Sequence, residues 1–150
     1  MAKRLPELSL SVQYPGGKDG APTRSEVRRY VRASCPLPAE VTVRFVDVDE
    51  GRQLNRDYRG KDYATNVLSF PYVQDELIVG DLALCTEVAL REAIEQNKPA
   101  NTHLAHLIVH GMLHLQAYDH ETSRRDAQRM EQLEREILAG LGIADPYQIR

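Results

Sequence analysis

Apolar and polar residues alternate over residues 7–14, ELSLSVQY, which is the period-two pattern of a strand with one buried face. Short apolar runs bounded by turn residues predict three more strands, at residues 41–46, 66–70 and 77–84. Pro71 is expected to end the third strand, and Gly80-Asp81 to mark a bulge in the fourth. The sequence up to residue 84 therefore supplies about four strands.

Helical periodicity and capping residues predict about five helices. The predicted ranges are Pro22 to about Ala33, a short helix around 50–58 with Asp49 as its N-cap, 86–97 opened by Thr86, 100–116, and 123–139. Residues 59–65 are expected to form an exposed loop. Strands come early and helices late, which favours an α+β fold with a mixed sheet over repeated βαβ units.

Length and composition indicate a globular protein of one domain. The chain has 150 residues, 42% of them apolar and 27% charged, and domains of this size commonly fold alone. We therefore predict a single domain over residues 1–150. No run approaches the ~18 apolar residues of a membrane span, and the N-terminus lacks the apolar segment of a signal peptide. Cys35 and Cys85 form no CxxC pair, which favours reduced core thiols and a cytoplasmic protein.

Histidines mark the predicted helix at 100–116 as the candidate site. Residues 99–118 contain no charged side chain unless a histidine is protonated, and apolar residues surround the helix, so it should be buried. His103, His106, His110 and His114 fall on one narrow stripe. Several buried imidazoles need partners. We interpret His103 and His106 as core histidines with hydrogen-bond partners.

The segment HGMLHLQAYDH predicts a metal site. His110 and His114 are four residues apart, so their rings lie one above the other, and His120 can return to the same point after the helix ends. The spacing is that of the HExxHxxGxxH zinc proteases. Three imidazoles leave one position of a tetrahedral zinc ion for water or substrate, which favours hydrolytic catalysis.

One position of that protease motif differs. Gly111 stands where a zinc protease carries the glutamate that takes a proton from water, which weakens a peptidase hypothesis. Asp119 and Glu121 flank the third histidine and are candidates for orienting a ligand, for handling a proton or for capping the last helix.

Two further segments, LNRDYRGKDYATNVLSFPY at 54–72 and GDLAL at 80–84, together with HGMLHLQAYDH, resemble the YbeY family of endoribonucleases. The resemblance runs from about Arg44 to His120. It implies a zincin-like α+β fold, one zinc ion per chain on His110, His114 and His120, and cleavage of single-stranded RNA in a bacterial cytoplasm. It also implies maturation of ribosomal RNA, notably the 3′ end of the small-subunit RNA, ribosome quality control, and contacts with the ribosome or ribosomal proteins. Neither a membrane nor DNA is an expected partner.

The family's functional arginine corresponds to Arg59 in YRGKD. A guanidinium at that position can grip a phosphate through two hydrogen bonds and stabilise the charge that develops during cleavage. Lys61 can add attraction for the RNA backbone. The net charge of −3 gives no overall attraction to nucleic acid. Ala117 stands where the family usually has glycine, so a turn with positive φ there would be strained by roughly 1 kcal/mol.

Two other functions stay open on the sequence. One is a non-catalytic ribosome-assembly factor whose zinc is structural, which the missing general base supports. The other is a zinc hydrolase of peptides or other small molecules, which the ligand spacing alone would allow.

Overall fold

The computed structural model describes residues 7–72, 76–117 and 123–147. Within these ranges the chain forms four strands, β1 (Leu8–Gln13), β2 (Ala39–Val46), β3 (Val67–Tyr72) and β4 (Ile78–Cys85). The five helices there are α1 (Arg24–Ala33), α2 (Val48–Arg59), α3 (Thr86–Glu95), α4 (Ala100–Leu115) and α5 (Arg124–Gly140). The α+β expectation, with four strands and five helices, is confirmed.

The four strands form one mixed sheet in the order β1-β2-β4-β3. β1 and β4 run parallel to β2, whereas β3 pairs antiparallel with β4 and lies at the sheet edge. Pro71 lies inside β3 instead of ending it. Proline has no backbone N–H to donate, and an edge strand tolerates this because one of its two sides has no neighbouring strand to accept a hydrogen bond.

The bulge expected at Gly80-Asp81 is wrong. The register of β4 on β2 advances one residue at a time from Ile78 to Cys85. Gly80 serves close packing instead, because a Cβ there would lie 2.5 Å from a methyl carbon of Leu115 and 2.9 Å from the carbonyl oxygen of Phe70. This glycine lets the end of α4 approach the sheet.

Helix α4 lies at the centre of the core. It packs against β3 and β4 and also contacts α1, α3 and α5. Its apolar residues are almost fully buried, with Leu104, Ile108 and Met112 at most 2% exposed. A helix surrounded by apolar residues was predicted to be buried, and it is.

Several boundaries differ from the sequence-based expectation. Helix α2 starts two residues earlier than predicted, since Asp47 is its N-cap and accepts a hydrogen bond from the backbone N–H of Glu50. Its last residue is Arg59, which was expected in a loop, and Gly60 ends the helix at φ 71°. Thr86 is the first residue of α3 and not its cap, and the Cys85 side chain makes no capping hydrogen bond.

Both cysteines are free thiols, as predicted. Cys85 is buried and Cys35 is partly buried against the core. Burial raises the pKa of the Cys35 thiol to about 11, although the charge of Arg32 acts in the opposite direction. Among the helices of the described ranges, none combines the length and apolar character needed to cross a membrane.

Candidate metal centre

His110 and His114 converge on one point beside α4. Their Nε2 atoms lie 3.1 Å apart, and the ring planes are nearly perpendicular. Two imidazole nitrogens bound to a tetrahedral zinc ion at ~2.0–2.1 Å would be about 3.3 Å apart. The two donor atoms therefore fit a shared ion, as the i, i+4 spacing predicted.

A buried carboxylate from α5 contacts the first of these rings. Glu134 is 0% exposed, and its Oε1 accepts a hydrogen bond from Nδ1 of His110 at 2.5 Å. Its Oε2 accepts a second hydrogen bond from Nε2 of His106 at 2.7 Å. Because Nδ1 of His110 carries the proton, Nε2 of the same ring keeps the lone pair that a metal requires.

The same oxygen of Glu134 accepts a short hydrogen bond from the hydroxyl group of Tyr147. Burial alone would raise the pKa of Glu134, but the hydrogen bonds from its three partners outweigh it and lower that pKa to about 2. Burial and the adjacent carboxylate raise the pKa of Tyr147, so the hydroxyl stays a neutral donor. Glu134 is therefore a buried anion at neutral pH.

His106, His110 and Glu134 together form a group that could hold a metal ion, because each offers a ligand atom within 4.8 Å of the others. The distances between these atoms favour a different assignment. At 2.5 and 2.7 Å the carboxylate is already hydrogen-bonded to both rings, with no space between the atoms for an ion. We interpret Glu134 as a group that holds His110 in place and leaves Nε2 of that ring available to an ion.

The third predicted ligand, His120, lies outside the described residues, as do Asp119 and Glu121. The chain that leads to it is described as far as Ala117. The N–H of Ala117 donates to the carbonyl oxygen of His114 at 3.1 Å, and its φ is 68°. The helix thus ends directly after the second histidine in a left-handed turn, and the strain expected for alanine at this position is present.

Position 111, where zinc proteases carry a glutamate, has no room for a side chain. A Cβ at Gly111 would lie 2.9 Å from a methyl carbon of Leu82 and 3.3 Å from the hydroxyl oxygen of Ser69. Leu82 is 0% exposed and cannot move aside freely. The position faces the sheet, so a glutamate there would enter the core and not the metal site.

Arg59 lies on a different element from the histidines. It is exposed at the C-terminal end of α2, and the loop that follows leads into the edge strand β3. Its guanidinium makes no ion pair with any residue in the described part of the chain, unlike Arg52, which pairs with Asp62 at 2.7 Å. Arg59 is therefore open to an external anion.

The two remaining helix histidines have different roles. His103 is 4% exposed, and its Nε2 donates to Glu92 at 3.0 Å, which confirms a core histidine with a partner. His106 also has a partner, but that partner is the carboxylate of the metal centre. The interpretation of His106 as an ordinary core residue was therefore incomplete.

Glu134 and Tyr147 were not predicted as site residues from the sequence. A signal for the first was present, because the buried residues of α5 are Met130, Glu134 and Leu138, four residues apart. A glutamate in the middle of an apolar stripe must have a buried partner. Tyr147 gave no comparable signal, since it lies seven residues beyond the end of α5 and its contacts depend on the tertiary fold.

Comparison with known proteins is consistent with this geometry. A family model described as endoribonuclease YbeY matches residues 23–142. A protein of Delftia acidovorans named endoribonuclease YbeY is 52% identical over 95% of this chain and 97% of its own length. Its namesake from Janthinobacterium sp. (strain Marseille) is 54% identical over 94% of this chain and 95% of its own. The solution structure of TM1509 from Thermotoga maritima is similar with a TM-score of 0.57, over 93% of this chain and 99% of that one, at 24% identity.

Proposed function

Because the chain belongs to the endoribonuclease YbeY family, we propose that it uses a zinc ion, held by His110, His114 and His120, to cleave single-stranded RNA. Endoribonuclease activity, the hydrolysis of phosphodiester bonds in RNA, follows from family membership. The 3.1 Å approach of the two Nε2 atoms is the observation that supports the metal most directly. His120, three residues after the turn at Ala117, completes the proposed ligand set.

A bound zinc ion supplies a Lewis acid for the phosphate and lowers the pKa of a water molecule. The protein contributes three things to this chemistry. Glu134 fixes the ring of His110, the apolar packing of α4 holds the ligand helix rigid, and Arg59 offers two parallel donors to a phosphate.

Charges on α2 support an RNA substrate. Arg52, Arg56 and Arg59 lie within one stripe of the helix, because residues four and seven apart share a face. Asp49, Gln53 and Asp57 lie on a neighbouring side and line a separate, acidic cavity. Arg52 and Arg56 are paired with Asp62 at 2.7 Å and with Asp57 at 3.8 Å, so a polyanion repelled from the acidic side would be attracted most strongly to Arg59 and Lys61 at the end of the helix.

The finer parts of the proposal come from the family resemblance. We propose that the substrate in the cell is ribosomal RNA, including the 3′ end of the small-subunit RNA, and that the protein acts in ribosome quality control. Its partners would then be the ribosome or ribosomal proteins, in the cytoplasm. The peptidase alternative is disfavoured by Gly111, where the fold has no room for the glutamate that such an enzyme needs.

Removing the metal tests the proposal. The purified protein, stripped with a chelator and dialysed, should lose cleavage of a single-stranded RNA oligonucleotide and regain it when zinc is added. Cleavage that persists after verified removal of metal would contradict the zinc-dependent mechanism. Metal analysis of the unstripped protein, with His120→Ala alongside, tests the third ligand.

Arg59→Ala separates a nuclease from a non-catalytic zinc protein. Loss of a donor that stabilises developing charge lowers kcat by on the order of 10²–10³. The matched control is Arg91→Ala, an exposed arginine on α3, which should leave cleavage unchanged. Equal cleavage rates for the Arg59 and Arg91 variants would remove Arg59 from the chemistry.

A further inference from the structure

The carboxylate of Glu134 links the metal centre to the C-terminal segment of the chain. Its two oxygens accept hydrogen bonds from His110 and His106 on α4 and from Tyr147, which follows α5. A fully buried carboxylate is costly unless every strong acceptor position is used. Three donors from two segments meet this need.

The segment that carries Tyr147 is fixed by several further contacts. Lys98 donates from Nζ to the carbonyl oxygen of Pro146 at 3.0 Å, and Arg135 forms an ion pair with Asp145 at 3.2 Å. The guanidinium of Arg135 also lies over the ring of Tyr147, 5.2 Å from its centroid. Residues 145–147 are therefore attached to α5 and to the short loop, residues 96–99, between α3 and α4.

The Tyr147 ring packs edge-on against His106, with centroids 5.5 Å apart. The hydroxyl and the imidazole both donate to Oε2, whereas among the described residues the donor to Oε1 is His110. The two hydrogen bonds to Oε2 fix the position of the carboxylate. Oε1 is thereby held in place, and its hydrogen bond orients the His110 ring.

We propose that Glu134 is a positioning residue for the metal centre and that Tyr147 makes the C-terminal segment part of that centre. Glu134 selects the form of His110 that carries its proton on Nδ1, so that Nε2 is ready for the metal. Tyr147 and His106 keep the carboxylate from rotating or coordinating the ion itself. The inference rests on the proposed zinc site, but it concerns residues outside the ligand set.

Zinc affinity provides a test that does not depend on turnover. Affinity is measured by competition with a chromogenic chelator for the full chain, for Glu134→Gln and for Tyr147→Phe. Loss of a group that orients a ligand typically weakens metal binding by about 10–100-fold. We expect this loss for Glu134→Gln and a smaller loss in the same direction for Tyr147→Phe.

Tyr14→Phe is the matched control, because it also removes a tyrosine hydroxyl that donates a hydrogen bond, here to the carbonyl oxygen of Pro22 at 2.7 Å. It should keep the zinc affinity of the unmodified chain. An equal loss of affinity in Tyr14→Phe and Tyr147→Phe would mean general destabilisation and would overturn the proposal. So would unchanged affinity in both site variants.

Cobalt substitution distinguishes a positioning carboxylate from a ligand. The visible absorption of the cobalt-loaded protein should keep its band positions and intensity in Glu134→Gln once the site is saturated. A spectrum that indicates a lost ligand would make Glu134 a direct ligand and overturn the positioning role. Failure of the unmodified protein to bind zinc at all would instead remove the proposed function, so the two failures are distinguishable.

Discussion

The hydroxyl of Ser69 donates a hydrogen bond to the carbonyl oxygen of Gly111 at 3.2 Å, which joins the edge strand β3 to the helix that carries the histidines. The contact is possible because Gly111 has no side chain between the two elements. The glycine next to His110 therefore determines how closely this part of α4 lies against the sheet.

Gly111→Ala should destabilise the protein. Alanine in a helix gains about 1 kcal/mol over glycine, but overpacking a full core costs about 1–3 kcal/mol, so we expect a net loss of about 1 kcal/mol. Gly111→Glu should be far worse and should not create peptidase activity. Urea denaturation of the metal-free proteins measures the stability of both variants, and a peptide substrate tests Gly111→Glu for peptidase activity.

Gly140→Ala is the control for Gly111→Ala, since a Cβ at that helix-terminal glycine would meet no atom within 4 Å. It should be neutral or stabilising. A Gly111→Ala protein as stable as Gly140→Ala would mean that the sheet and α4 separate easily.

Ala117→Gly should stabilise the turn after His114. The left-handed φ of 68° costs alanine about 1–2 kcal/mol, and glycine loses about 0.5–1 kcal/mol more backbone entropy on folding. The net gain is up to about 1 kcal/mol, or roughly 2–4 °C in Tm for a chain of this size. Thermal unfolding of the metal-free protein measures it. Ala127→Gly, inside α5, should shift Tm in the opposite direction, and a lower Tm for Ala117→Gly would refute the strain argument.

Asn55→Ala should loosen the loop that follows Arg59. Asn55 is 0% exposed and donates from its side-chain amide to the carbonyl oxygen of Tyr63 at 2.7 Å. Removing that hydrogen bond from a buried position should cost about 1–2 kcal/mol. The control is Gln53→Ala, an exposed residue of the same helix, which should keep the urea midpoint of the unmodified protein. Equal urea midpoints for the two variants would show that the side-chain amide of Asn55 does not contribute to the stability of the protein.

Cys35 should react slowly with iodoacetamide at neutral pH. The thiolate is the reactive form, and with a pKa of about 11 only about one thiol in a thousand is ionised at pH 8. The alkylation rate, followed by mass spectrometry, should rise about tenfold per pH unit until the pH approaches that pKa. The urea-unfolded chain is the reference and should react much faster. A plateau near pH 8 or 9 in the folded protein would contradict a buried thiol.

Much of this architecture could be predicted because local signals and tertiary packing agree. Thr23 with Glu26 forms a capping box, and the chain makes the helix that begins there. The apolar surroundings of residues 100–115 predicted a buried helix, and its i, i+4 histidines predicted the convergence of two Nε2 atoms. Periodicity determines which side chains share a face, so such relationships follow from the sequence.

The errors came from features that depend on more distant parts of the chain. Asp47 and Asp49 are both good N-caps, and only the end of β2 decides between them. Gly80 looked like a bulge because its close contact with Leu115, 35 residues away, cannot be deduced from spacing. The spacing within α5 marked Glu134 as a buried glutamate, but its partners could not be deduced, since they lie on another helix and beyond the end of its own.

The place of α4 in the chain has a consequence for synthesis. All four strands precede it, so a ribosome completes the sheet residues before the helix that covers their apolar face. A nascent chain ending near residue 99 leaves the core side chain of Leu82, which lies against Gly111 of α4, without that helix to cover it. Such a chain is prone to aggregate, and productive folding has to wait for the last third of the polypeptide to leave the exit tunnel.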